Sequence, residues 1–148
     1  MSVPVSSAGN GGDVGAICAQ VAQALPKLVD NTERRDTTPP TDRTAAWGEP
    51  PVILRCGVER PANLQSTSQL NTVNGIDWLV DPQGGGHVFT TVGRAAYIEV
   101  VVPAAHDPQV GPLVDVAPAM QLVPTRPEVY PTPATPKKTP QSNGGAKR

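Results

Sequence analysis

Aromatic residues are scarce in this sequence of 148 residues, which holds one Phe, two Tyr and two Trp. Set beside 18 Pro and 14 Gly, that scarcity predicts a single domain with about a hundred ordered residues and a small core. So few rings cannot build a stacking platform for nucleic acid. No segment approaches the about twenty apolar residues of a membrane-crossing helix, and Met1 to Gly15 lacks the apolar run of a secretory leader. Gly-x-Ser-x-Gly, His-Glu-x-x-His and Cys-x-x-Cys strings are missing. His87 and His106 fall in no metal-ligand spacing, so neither a metal nor a cofactor is expected. Charge of one sign is also lacking, the net being −1, but it is unevenly spread. Pro124 to Arg148 carries five basic residues and one acid, or +4, which leaves −5 for residues 1–123. An acidic body argues against a nucleic-acid partner.

What is present begins with Trp47-Gly48-Glu49-Pro50-Pro51-Val52-Ile53-Leu54-Arg55-Cys56-Gly57-Val58. The prolines cannot donate to a ladder and must precede the strand. From Val52, alternation puts Val52, Leu54 and Cys56 on one face and Ile53 and Arg55 on the other, with Gly57 as a stop. Upstream, Val14, Ile17, Cys18, Val21 and Leu25 recur at helical steps behind Asp13 as a cap. The two cysteines therefore face a shared core, as a disulfide or as buried thiols. The sequence leaves both open, and the disulfide Cys18–Cys56 is the expectation carried forward.

Asp30 to Ala46 and Glu59 to Thr72 read as loops. Asn74-Gly75 marks a turn, Ile76 to Val80 a strand closed by Asp81-Pro82, and Val92-Gly93-Arg94-Ala95 a two-residue hairpin that sets Phe89 opposite Ile98. Asp107 and Pro108 would open a second helix, restarted at Gly111-Pro112 and kinked or shortened by Pro118. The expected fold is α+β: a small two-layer sandwich of about four antiparallel strands with two helices on one face, stapled by the disulfide. Residues 1–12 are expected as a flexible lead-in, 13–123 as the single domain, and 124–148 as a disordered Pro-rich basic tail.

The string Trp47-Gly48-x-Pro50-Pro51-Val52-Ile53-Leu54-Arg55-Cys56-Gly57-Val58, with Asn74-Gly75-Ile76-Asp77-Trp78, Phe89-Thr90-Thr91-x-Gly93-Arg94 and Tyr97-Ile98-Glu99-Val100, resembles an actinobacterial family catalogued as domain of unknown function 3515. The resemblance implies an envelope protein exported with, or held by, an N-terminal membrane segment. This chain shows no such segment, which points to a removed leader or a misplaced start, and membrane contact is expected only through that anchor. The family supplies a compartment and no chemistry.

Trp47 and Trp78 are expected in the core rather than in a ligand groove. Gly84-Gly85-Gly86 precedes a strand, not a helix, and reads as a loop rather than a phosphate cradle. The most specific surface is the sheet face away from the helices, where Arg55, Asp77, Thr90, Tyr97 and Glu99 should gather, with Arg94 as a further candidate. Its plain alternative is an ordinary wet sheet surface with an Arg–Glu contact. The function expected is a non-enzymatic extracytoplasmic domain, secreted or membrane-anchored, that binds an envelope protein or wall polymer. One alternative is a small hydrolase or transferase acting through Asp77, Glu99 or His87, with Arg55 or Arg94 holding an anion. Another is a cytoplasmic module with reduced thiols.

Overall fold

The computed structural model describes residues 3–4, 12–106, 110–128 and 130. Among these the chain forms β1 (Val3–Pro4), α1 (Gly12–Ala24), β2 (Leu28–Val29), β3 (Thr32–Arg35), β4 (Thr37–Thr38), β5 (Thr44–Trp47), β6 (Val52–Val58), β7 (Leu70–Val73), β8 (Ile76–Gln83), β9 (Gly86–Val92), β10 (Tyr97–Val102) and α2 (Gly111–Met120). Eight strands make an antiparallel sheet in the order β2-β3-β5-β6-β10-β9-β8-β7, and β1 pairs β4 in a separate parallel ribbon. The class is α+β as expected, but the sheet has twice the four strands anticipated.

The core lies between one sheet face and the two helices. Val52, Leu54 and Cys56 are buried there with Trp47, Trp78, Phe89, Ile98 and Val100, against Cys18 and Val21 of α1 and Leu113, Val116 and Met120 of α2. Both tryptophans are fully buried, as core residues, and the Trp47 indole donates to the Pro26 carbonyl at 3.0 Å. Cys18 and Cys56 are bonded, with Cα atoms 5.7 Å apart. Asp107 and Pro108 lie outside the described residues; the helix begins at Gly111, with Pro112 in its first turn and Pro118 inside it.

Two of the missed strands, β3 and β7, have no fully buried residue, whereas β5, also inside a stretch read as loop, is buried at every position. β3 is Thr-Glu-Arg-Arg, with no buried residue on either face, so no alternation announces it. What forms it is the turn at Asp30 and Asn31, both at positive φ, which folds Leu28–Val29 against Thr32–Glu33. β7, Leu-Asn-Thr-Val, likewise has no fully buried residue, and it is the first arm of the hairpin that Asn74-Gly75 closes onto β8. β8 runs on through Asp81-Pro82 to Gln83. Its pairing to β7 ends at Leu70 and Leu79, so Pro82 sits on a stretch with one free edge, where a missing N–H is tolerated.

The β9–β10 register differs from the expected one by two residues: Phe89 faces Val100, not Ile98. A shift of two keeps every side chain on its face. The connection is four residues long, not two, because it pairs elsewhere. Ala95 N–H donates to the Pro124 carbonyl and Arg126 N–H to the Gly93 carbonyl, each at 2.8 Å. Residues 124–128, expected as the start of a disordered tail, thus lie against the sheet, and Val3, expected in a flexible lead-in, is buried in β1.

Gly57 does not stop β6 but bulges it. At φ 85° it lets Val58 pair with Tyr97 while Cys56 pairs with Ile98, so the strand gains a residue and Val58 turns to the outer face. A Cβ at position 57 would lie 2.8 Å from Val14 Cγ1, so the bulge is also where α1 presses closest.

Candidate functional site

The outer sheet face is partly covered at both ends. At one, Val3 of the β1–β4 ribbon packs with Ala46 and Ile53. At the other, Leu64 sits on Leu79 and Val92, with Leu70, Tyr97 and Tyr130 around it. The register lines up one row across six strands, Thr44, Arg55, Glu99, Thr90, Leu79 and Leu70, the last two belonging to the Leu64 cover. In the row's centre Arg55 Nη1 donates to Glu99 Oε1 at 3.1 Å, with side chains 31% and 21% exposed. Half-exposed and solvent-screened, the pair contributes at most about 1 kcal/mol of stability.

Around this pair is a groove of about 490 Å³. Its floor is Arg55, Glu99, Thr90 and Val88, with Asp81 and Gln83 of β8 beyond, and Val58, Glu59, Pro61 and Asn63 form the wall that the Gly57 bulge and the following loop supply. Three carboxylates, of Glu59, Asp81 and Glu99, stand beside one guanidinium, which leaves an excess of negative charge.

Of the six expected face residues, the structure brings Arg55, Thr90 and Glu99 together in the groove. Asp77 shares the face but lies one level along and two strands away, about 12 Å from Glu99 by strand spacing and rise. It accepts a 2.5 Å hydrogen bond from Thr72. Tyr97 points under the Leu64 cover, where its hydroxyl donates to Glu128 at 2.5 Å. Arg94 lies in the β9–β10 connection and donates to the Val123 carbonyl at 2.8 Å.

Of the set named for a hydrolase or transferase, Glu99 and Arg55 meet in the groove, whereas Asp77, His87 and Arg94 lie elsewhere. His87 is on the Phe89 side of β9, its ring 5.8 Å from that of Phe89, whereas Glu99 is on the opposite face. Asp77 and Glu99 are too far apart to act on one atom. Gly84 and Gly85 form the β8–β9 turn. Among the described residues no three His, Cys, Asp or Glu side chains form a group that could hold a metal ion.

Sequence reasoning missed Glu128, the most heavily bonded carboxylate on this side of the sheet. Its oxygens accept from Tyr97 Oη, from Arg60 Nε at 3.0 Å and from Gly93 N–H at 3.2 Å. Burial alone would raise its pKa, but the Tyr97, Arg60 and Gly93 donors outweigh that and lower it. The same burial and the facing carboxylate push the Tyr97 phenol up to about 12, so at neutral pH the phenol is the donor. Glu128 stands in a Pro-rich stretch without periodicity, and only the isolated acid between Pro127 and the basic tail hinted at a buried role.

Residues 2–128 match the family model described as Protein of unknown function (DUF3515), and the chain belongs to that family. No curated protein and no solved structure matches it significantly. Among the described residues no helix is long and apolar enough to cross a membrane.

Proposed function

We propose that this member of the family is a non-enzymatic extracytoplasmic domain that binds another component of the cell envelope, a protein or a wall polymer, through the groove over Arg55 and Glu99. The observation that carries the reading is the groove itself, in which Arg55 and Glu99 are paired on neighbouring strands between two covers. Strand-borne groups lose little freedom on binding, which suits recognition. The acid excess favours a partner that presents amines or hydroxyls. The Cys18–Cys56 disulfide supports the compartment, since such bonds persist in oxidising surroundings and are rare in the cytoplasm.

The test is retention of the labelled chain on isolated wall polymer and on membrane fractions. The parent should be held by one of them, and Arg55→Ala with Asp81→Ala should lose most of that retention while keeping the parent's unfolding temperature to within a few degrees. If neither fraction retains the chain, or the double variant binds as the parent does, the groove is an ordinary wet surface.

A further inference from the structure

A second concavity lies at the end of the same sheet face and shares no residue with the groove. It encloses about 230 Å³ and is lined by Arg60, Arg94, Ala95, Tyr97, Arg126, Pro127 and Glu128. Its walls are set by the backbone. The bridge between Arg94 and Thr125, flanked by the Ala95 to Pro124 and Arg126 to Gly93 hydrogen bonds, fastens the segment carrying Arg126 to the one carrying Arg94. Arg60 is drawn in from the loop after β6 by Glu128.

Three arginines and one glutamate line the cavity, with Arg60 ion-paired to Glu128. That carboxylate already accepts from Tyr97, Arg60 and Gly93. Arg94 commits one nitrogen to the Val123 carbonyl. Arg60 Nη2 is buried and has no hydrogen-bond partner among the described residues, a costly state for a charged donor. Among the described residues its lining carries three formal positive charges and one negative, a net of +2.

We propose that this cavity is a binding site for a phosphate-class oxyanion, held by Arg60, Arg94 and Arg126. A tetrahedral dianion balances the two uncompensated charges and offers oxygens in several directions, and guanidinium forks suit it better than a point charge would. A monocarboxylate supplies half the charge and fewer acceptors.

The test titrates inorganic phosphate into the full chain at constant ionic strength and follows backbone amides by NMR. Saturable shifts are expected around Gly93, Ala95 and Arg126, with a dissociation constant of about 10 mM or tighter. Arg126→Glu, which keeps the backbone bond and changes an exposed side chain, should weaken binding at least about tenfold, and acetate should bind at least about tenfold more weakly than phosphate. Arg55→Ala, in the separate groove, should leave phosphate binding unchanged. Absence of saturation by about 50 mM phosphate, or equal binding by Arg126→Glu, overturns the site. Equal binding of acetate overturns its assignment to phosphate. Should Arg126→Glu lose its dispersed spectrum, Arg126→Gln in the same titration decides.

Discussion

His106 Nδ1 lies 2.7 Å from the Asp30 carboxylate, with the opposite ring nitrogen 2.8 Å from the Pro50 carbonyl. Both partners are acceptors, so the ring satisfies them together only when both nitrogens carry protons. This latch joins three places distant in sequence: the β2–β3 turn, the entry to β6 and the segment after β10. Asp30 is held in turn by its own N–H, which donates to Asp115 of α2 at 2.7 Å.

Stability should therefore fall as pH rises through the neutral range. Burial lowers the His106 pKa, but the Pro50 carbonyl and the Asp30 carboxylate more than offset it, leaving the pKa above 6.5 in the folded state. The folded protein holds that proton more tightly than the unfolded chain does. The contribution is complete below about pH 6.5 and is lost as pH climbs through the folded value. Thermal unfolding followed from about pH 6 to pH 9 should show a decline that His106→Ala removes, together with a loss of about 1–3 kcal/mol at the acidic end from the stranded acceptors. An identical pH profile in parent and variant would sink the latch.

Opening the disulfide should cost much of the stability. Cys18 and Cys56 are 38 residues apart, and closing a loop of that length contributes about 4 kcal/mol in the chain-entropy model. Stabilities of such domains are about 5–15 kcal/mol. The Cys18→Ala, Cys56→Ala double variant should lose unfolding free energy of that order in a denaturant titration, and intact mass should rise by two hydrogens on reduction of the parent. A parent that gains no mass has no bridge.

Gly57→Ala should be among the more harmful small substitutions in the sheet. The added carbon meets Val14 Cγ1 at 2.8 Å while the backbone stays at φ 85°. Overpacking and the left-handed backbone together should cost about 2–4 kcal/mol. If the variant is as stable as the parent, neither the bulge nor the close approach of α1 is as tight as described.

The residues that announced themselves in the sequence were those whose neighbours are close along the chain or whose apolar pattern has one period. The strand from Val52, the α1 stripe and the Asn74-Gly75 turn are of that kind, and they bring Arg55 to the face where it was expected. Thr90 and Glu99 also reached it, because a two-residue error in register leaves faces unchanged. The strands at Thr32–Arg35 and Leu70–Val73 were illegible because each is short and has no fully buried residue to set an alternation. Arg60 and Glu128 were illegible because their contact spans 68 residues between two segments without pattern. His87 was legible on the Phe89 face, because the alternation running from Phe89 puts it there.

Glu128 should fasten the segment after Val123 to the sheet. Its side chain is only 10% exposed and accepts from three donors on separate elements. Glu128→Ala leaves the Arg60 guanidinium and the Tyr97 hydroxyl without that acceptor and should cost about 2–3 kcal/mol. The sharper readout is the phenol. Burial and then Glu128 hold Tyr97 at about 12. Removing the carboxylate withdraws the second cause and leaves the first, so Tyr97 should titrate lower, though still above an ordinary phenol. Phenolate absorbance of the parent should show a late-titrating component from Tyr97, and Glu128→Ala should bring it forward. Ending the chain after Val123 should do the same, because it removes the acceptor with the segment. If both variants leave the late titration in place, Tyr97 is held by something other than Glu128 and the segment is not part of the folded unit.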